Sequence, residues 1–460
     1  MNRPNLLSLA AAAVLLSIAS SEALAQHTPQ YGPPESGGPP QYAGPQYCPP
    51  EQQGHPSLFQ TPRNQYQAPV VDHYVEQAPG LWDENRPIEH FLHEVTSRSW
   101  MRLEFMQWSL QGPRGGTIGA PVSGLQFVVP NNSIEGIDVP ILVNDNLNGG
   151  NTAGLTLFPQ SNGLDLIDTP GIRGTLGVAM NGGDLELSFF GFQQQSSQTA
   201  FNNIDGPRQI LADEIIAQGG ISVDPAIGIS TNPNYAIPLL TNGTVTDVAG
   251  MNSLIFDQSL QATLSSQMWG SELAFLTDRY VPGEGFGFQW LGGLRYTNLD
   301  ESYTIHGTYD GGAVADRTTN IRSAVNSNYY GPEAGARFSV NTRWFTLSAT
   351  PRIMMGLNDH TATVSANAIG TGLTSFESNK VNFGTVTQLN LAAEVHLNTK
   401  FSVFGGYDFM WLTQVSRPDQ NIYYNSISGG AAGFTPDIRQ NVNYSNFAAN
   451  GFSLGAVFRY

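Results

Sequence analysis

At the outer ends of the strand candidates a histidine stands near an acid, the pairing that proton transfer in a hydrolase needs: Asp359-His360, and His306 just ahead of Asp310. Asp359-His360 lies at the outer end of a segment that alternates apolar and polar residues, and His306 lies just past another. Neighbours on a strand point to opposite faces, so Asp359 and His360 make no dyad by themselves. No serine stands in a nucleophile motif. Metal chemistry finds no better footing. His90, His93 and Glu94 sit close together, but the second histidine that follows His-Glu on a zinc-protease helix is missing. Asn144, Asn146 and Asn148 followed by Gly149 have the spacing of the front half of a calcium loop, yet the twelfth position is Leu155 where a bidentate Glu is required. Asp138, Asp145, Asp165 and Asp168 keep a loop calcium site open as an alternative to a solvated polar loop. The reading is a chain with no catalytic residues, no metal ligands and no cofactor.

The charges that do recur in a fixed pattern are Arg102, Glu104, Arg173, Glu186, Glu272, Arg295, Glu333, Arg337, Arg352, Glu394 and Asp408. Each stands out of phase with an apolar register of period two. Those registers include Met101, Leu103, Phe105; Leu185, Leu187, Phe189; Phe286, Phe288, Trp290, Leu294, Tyr296; Phe345, Leu347, Ala349, Ile353; Leu389, Leu391, Ala393, Val395, Leu397; and Val403, Tyr407, Phe409, Trp411. None of them contains a charge. A charge facing lipid near the midplane costs about 2 to 4 kcal/mol, whereas the interior of a barrel accepts it. The partition therefore predicts strands with one face on lipid and the charges gathered inside, in a lumen charge network. Phe404 and Leu291 fall on the inner side and make the alternation imperfect. The end of the chain fits the same scheme, with Phe452, Leu454, Ala456, Phe458 and Tyr460 on one face as a lipid-facing closing strand. A terminal aromatic on such a strand is the feature that barrel assembly machinery is expected to recognise.

The elements that carry these residues are ten strands, counted from Trp100–Leu110 to the closing strand at Phe447–Tyr460. Between them lie 171–179, 184–193, 265–278, 286–305, 329–340, 344–361, 382–397 and 401–415. Tight turns (Met180-Asn181-Gly182-Gly183, Val281 to Gly285, Asn341-Thr342, Asn398 to Lys400) alternate with long inserts. This is the asymmetry of an all-β, antiparallel up-and-down transmembrane β-barrel, with short periplasmic turns on one rim and long outer loops on the other. An even number of strands also brings both ends of the barrel to the short-turn side.

Composition and the N-terminus agree. Residues 1–25 carry Arg3, an apolar run from Leu6 to Ile18 and an Ala23-Leu24-Ala25 cleavage site, which reads as a signal peptide. Residues 26–82 are rich in Pro, Gln, Tyr and Gly and read as a disordered leader. Residues 83–97 read as a short amphipathic helix with Ile88, Phe91, Leu92 and Val95 on one face, and 98–460 as the barrel. Cys48 is the chain's single cysteine, a spare thiol in the leader. The 20 basic against 37 acidic residues give a net charge of -17, which excludes nucleic acid as a partner. Only 12% of residues are charged and 40% are hydrophobic, yet the hydrophobic residues never form a run long enough for a membrane helix.

Several segments together resemble the beta-barrel porin family abundant in planctomycete-type bacteria: MRLEFMQWSLQGP at Met101, GIRGTLG at Gly171, GGLRYTNLDESYTI at Gly292, NYYGPEAGARF at Asn328 and GGYDFMWLTQVSRPDQNI at Gly405. The last is the most specific, with a tyrosine-rich strand leading into Val415-x-Arg417-Pro418. Gln107 and Ser109 depart from the family's first strand, where apolar or aromatic residues are usual. The resemblance implies a fold and an outer-membrane location in a Gram-negative cell envelope, and adds no catalytic residues. The function expected is porin-like passage of small solutes or ions through a narrow, charge-lined lumen. The alternatives are a non-enzymatic surface or adhesion protein acting through its outer loops, and a hydrolase at the rim. Outer-membrane lipid and the assembly machinery are the expected partners.

Export predicts a mature chain that begins at Gln26 and fractionates with the outer membrane. N-terminal sequencing of that fraction checks it, and an intact Ala25-Gln26 bond there would contradict it.

Overall fold

The computed structural model describes residues 96–121, 141–142, 156–201, 234–246, 252–256, 258–281, 285–309, 317–367, 373–428 and 434–460. The expected signal peptide, leader and nearly all of the expected helix lie outside the described residues. Ten strands close into a barrel: β1 (Ser99–Leu110), β2 (Leu166–Met180), β3 (Gly183–Phe192), β4 (Ser259–Thr277), β5 (Phe286–Tyr309), β6 (Arg317–Asn341), β7 (Phe345–Asn367), β8 (Thr374–His396), β9 (Phe401–Ser416) and β10 (Tyr444–Arg459). Each pairs antiparallel with the next. β10 then pairs with β1, from Trp100 opposite Arg459 to Leu110 opposite Ala449. Closure matters because lipid offers no hydrogen bond to an open strand edge. Past an irregularity at 193–194, the strand Gln195–Phe201 extends the line of β3 along the same neighbour, β4.

Three of the four tight turns sit where the sequence places them, and residues 282–284 of the fourth lie outside the described residues. Gly182 takes a φ of 90°, a left-handed value open to glycine in the β2–β3 hairpin. The Asn398 side chain accepts from the N–H groups of Lys400 (2.8 Å) and Phe401 (2.7 Å) and closes the β8–β9 turn.

The long strands reverse their polarity partway up. On β5, Trp290, Leu294 and Tyr296 face outward, followed by Asn298, Asp300, Ser302, Thr304 and His306 on the same face. The inner face runs the other way, from Arg295 to the buried Leu299, Tyr303 and Ile305. β7 repeats this: Leu347, Ile353, Met355 and Leu357 outward, then Asp359, Thr361, Thr363 and Ser365, while Arg352 inside gives way to Met354, Ala362, Val364 and Ala366. On β1 the outward Met101, Leu103 and Phe105 give way to Gln107 and Ser109, as Met106, Trp108 and Leu110 become buried inside. The departure at Gln107 and Ser109 is therefore the point where the strand leaves lipid. A strand needs roughly 9 to 11 residues to cross the hydrocarbon core, and β5 has 24. The surplus stands in water, where a polar outer face and an apolar inner face are the stable arrangement. Phe189, Trp269 and Tyr296 stack side by side at the boundary (ring centroids 6.3 and 5.0 Å apart), as an interfacial girdle.

This reversal corrects several boundaries. β5 runs on to Tyr309, β6 begins at Arg317 rather than Tyr329, β8 at Thr374 rather than Asn382, and β4 at Ser259 rather than Ser265. The signal sought was an apolar outward face, and above the membrane that face is polar.

The long inserts are also more than loops. Ile141–Leu142, Thr156–Leu157, Asn234–Thr241, Asn252–Phe256, Ile422–Ser428 and Phe434–Gln440 form a second, six-stranded sheet. Asn234–Thr241 is central: it pairs parallel with Thr156–Leu157 and with Ile422–Ser428, and antiparallel with Asn252–Phe256. Its residues Ala236 to Leu240 are all buried. Ile237, Leu239, Leu254, Phe256, Ile422 and Tyr424 share one hydrophobic core with Trp108, Leu264, Leu299, Tyr303, Ile305 and Val364 of the barrel. The inserts thus fold back as a cap on the upper, extramembrane part of the barrel.

The boundary predicts two different responses to a charge on the outer face. Leu391→Arg, in the lipid-facing part of β8, should cost about 2 to 4 kcal/mol of folding stability in bilayers. Ser302→Arg, above the boundary on β5, should stay within about 0.5 kcal/mol of wild type in the same titration.

Candidate functional site in the barrel interior

Alternation along the ladders turns all eleven charges of the predicted network to the inner face. Three of their contacts reach across the interior, with two strands between the partners. Arg173 of β2 meets Asp408 of β9 at 3.2 Å. Arg337 of β6 holds Glu186 of β3 through two parallel bonds of 2.8 and 2.9 Å. Arg352 of β7 bonds Glu272 of β4. Shorter links extend two of these chords into larger groups. Arg173 also reaches Glu104 at 3.3 Å, and Arg102 pairs with Glu104 at 2.8 Å. Glu333 lies 3.7 Å from Arg295 and 3.6 Å from Arg352. Asp408 is fully buried and accepts further bonds from Gln388 and Asn390. A carboxylate removed from water persists when every oxygen has a donor, as here.

Glu394 belongs to a separate group nearer the periplasmic ends of the strands. It pairs with Arg459 and lies 3.4 Å from His396. Arg459 falls in the inward register of the closing strand, the signal that assigns it to this interior. Arg102 also lays its guanidinium over the Phe404 ring at 3.8 Å, which gives the inward Phe404 a role beside the charges.

Directly above the charges the interior turns apolar. Met106 follows Glu104 in the inward register, Met354 follows Arg352, Met410 follows Asp408, and all three are fully buried. On β9 the pairing with β10 is interrupted between Leu412 and Val415, where Gln414 takes a left-handed φ of 56°. The bulge frees two carbonyls that buried side chains then satisfy: Tyr329 donates to Thr413 O (2.9 Å) and Asn358 to Gln414 O (2.8 Å). Beyond it the chain turns into the cap, and Arg417 meets Glu301 of β5 at 2.9 Å with both side chains 1% exposed. The Val415-x-Arg417-Pro418 motif is thus a bulge followed by an anchor. Glu301 could have been found from its register, since it continues the inward line of Arg295.

The candidates for other chemistry are not brought together. Asp359 is exposed outside while His360 is buried inside, its Nε2 3.2 Å from Tyr444 Oη. His306 is exposed, and Asp310 lies outside the described residues. Asp165 and Asp168 are exposed, and Asp168 accepts from Gln107. Asp138, Asp145 and the Asn144 to Leu155 stretch lie outside the described residues, as do His90, His93 and Glu94. Among the described residues no group of three or more His, Cys, Asp or Glu is arranged to hold a metal ion.

The pairing predicts a strong asymmetry on mutation. Arg173→Met should destabilise the barrel by about 3 to 5 kcal/mol, because Asp408 keeps its charge without its cation. Adding Asp408→Asn should recover most of that loss, and denaturant titrations of the single and double variants check it.

Comparison with known proteins follows this geometry. Similar solved structures include the outer membrane protease OmpT from Escherichia coli, at 9% identity and a TM-score of 0.38, covering 79% of this chain and 96% of that one. A FadL homologue of Pseudomonas aeruginosa matches at 8% identity and a TM-score of 0.20, covering 78% and 90%. An anion-selective porin from Comamonas acidovorans matches at 8% and 0.12, covering 79% and 100%. At these values no activity passes from them to this chain. No curated protein matches it. The family described as "Putative beta barrel porin-7" matches residues 100–460, the whole of the barrel and its cap. The chain is therefore an outer-membrane β-barrel and belongs to that porin family.

Proposed function

We propose that this member of the porin family rests as a narrow, closed channel that admits small ions at most. The observation that carries the reading is the set of three ion pairs reaching across the interior, Arg173 to Asp408, Arg337 to Glu186 and Arg352 to Glu272. Barrels of about eight strands are filled by their own side chains, and open aqueous channels belong to barrels of about 16 to 18 strands. Ten strands bridged by paired charges lie toward the filled end. Small ions pass where a pair opens transiently, and larger solutes need both the pairs and the cap to move.

The non-enzymatic reading is part of the same proposal. It is supported by the separation of Asp359 from His360 on opposite faces of β7, which removes the acid-histidine pair a rim hydrolase would use. A surface or adhesion role is the second reading, favoured by the height of polar wall that β5, β6 and β7 raise above the membrane. We further propose that the signal peptide is cut after Ala25 and that the row from Phe452 to Tyr460 serves lipid contact and assembly.

Planar-bilayer recordings separate these readings. The wild type should show small-ion conductance far below that of an open porin. The double variant Arg337→Ala with Glu186→Ala removes one bridge without leaving a lone charge, and should raise the conductance. A large, weakly selective wild-type pore would overturn the closed-channel reading, and no current in either protein would favour the surface role.

A further inference from the structure

Arg417 is the point where separate parts of the outer mouth meet. It leads from β9 into the cap, donates from Nη2 to Gln111 O and Gly112 O at the end of β1 (both 3.0 Å), and lies over the Phe447 ring of β10 at 5.2 Å. Its Nε faces Glu301 of β5 at 2.9 Å. Glu301 lies above the polarity boundary, flanked outside by Asp300 and Ser302, so its surroundings are the cap core and not lipid. Asp419, two residues beyond Arg417, accepts from the Arg114 N–H at 3.0 Å through Oδ2, while its Oδ1 is buried without a hydrogen bond. Glu301 thus meets one guanidinium, and Asp419 lies close enough to act on the Glu301 charge.

The other groups around Glu301 add no compensating charge. Its own strand contributes Asp300 and Tyr303, β6 contributes Val325 opposite and Tyr329, and β4 contributes Ser266, while Tyr424 of the cap adjoins Tyr303 and Asp419. With Glu301 protonated, Arg417 and Asp419 balance one to one. With Glu301 ionised, the junction holds one negative charge too many.

We propose that the Glu301–Arg417 contact is a proton-sensitive latch, which keeps the cap shut in acid and lets it loosen as the pH rises. The latch rests on reading the cap as the outer closure of the channel. Burial pushes the Glu301 carboxyl up to about 7; Arg417 opposes this, and Asp419 and Asp300 add to it. When the cap opens, Glu301 meets water and returns to the ordinary glutamate range near about 4.3. The closed state therefore binds the proton more tightly. Its advantage is complete below the solvated value and is lost as the pH rises through the buried one. A difference of that size changes the opening equilibrium on the order of tens to hundreds of times.

The test uses the full chain in liposomes, with Cys48→Ser as background. Ser323, fully buried on the inner face of β6 opposite Tyr303, is replaced as Ser323→Cys and labelled with a maleimide from pH 5 to pH 8. Rates are normalised to an exposed control, Ser375→Cys. The normalised rate should rise on the order of tens-fold across this range. Glu301→Gln should stay slow and flat, and Asp419→Asn should move the rise to lower pH. A flat wild-type profile, or the same rise in Glu301→Gln, would overturn the latch. Should Glu301→Gln fail to fold, an unmoved rise in Asp419→Asn overturns it instead. Current recorded from the same membranes keeps the two readings apart: labelling that rises without current leaves the latch and removes the channel, and current with flat labelling does the reverse.

Discussion

Everything in this structure follows from strands that are longer than the membrane is thick. A strand that crosses hydrocarbon must be apolar on its outer face, and once past the boundary it must be apolar on its inner face if it is to be covered. β1, β4, β5 and β7 all obey both demands within one continuous strand. Side chains alternate with a period of two, so the exchange needs no change of register. Only the residue types on each face are swapped. The same exchange divides the interior into a charged layer within the membrane and an apolar layer above it.

The two layers are closed by different physics. In the lower one, the interior of a ten-stranded barrel is narrow enough for an arginine on one strand to reach an acid with two strands between. Paired in this way, buried charges satisfy one another, but each becomes costly when its partner is removed. In the upper layer the hydrophobic effect acts, and the cap contributes a central strand buried on both faces. Among the described residues Arg417 is the fully buried cation inside the apolar layer, where Glu301 and the carbonyls of Gln111 and Gly112 hold it.

Much of the barrel was legible in the sequence. The count of ten strands and the separation of charged from apolar residues along them follow from a period of two and from the cost of a charge in lipid. The pairing of those charges was not legible residue by residue, because partners such as Arg337 and Glu186 come from strands far apart in the chain. The upper parts of β6 and β8, and the last four residues of β5, were missed for a physical reason: above the membrane the strand signal inverts, and these stretches read as polar loop. The cap was missed because its strands are short and continuously apolar, as in Tyr235 to Leu240, without the alternation that marks the barrel. Gln107 and Ser109 look like exceptions in the sequence and instead mark the boundary.

The central claim is this reversal of polarity along continuous strands, and one measurement addresses it directly. Spin labels placed one at a time on β5 from Trp290 to His306, in the barrel reconstituted in bilayers, report collisions with lipid-soluble oxygen and with a water-soluble relaxant. Oxygen contact is expected at Trp290, Leu294 and Tyr296, aqueous contact at Asp300, Ser302, Thr304 and His306, and protection from both at Leu299, Tyr303 and Ile305. Oxygen contact continuing past Asp300, or aqueous contact at Tyr303 and Ile305 as in an open water-filled lumen, would contradict it.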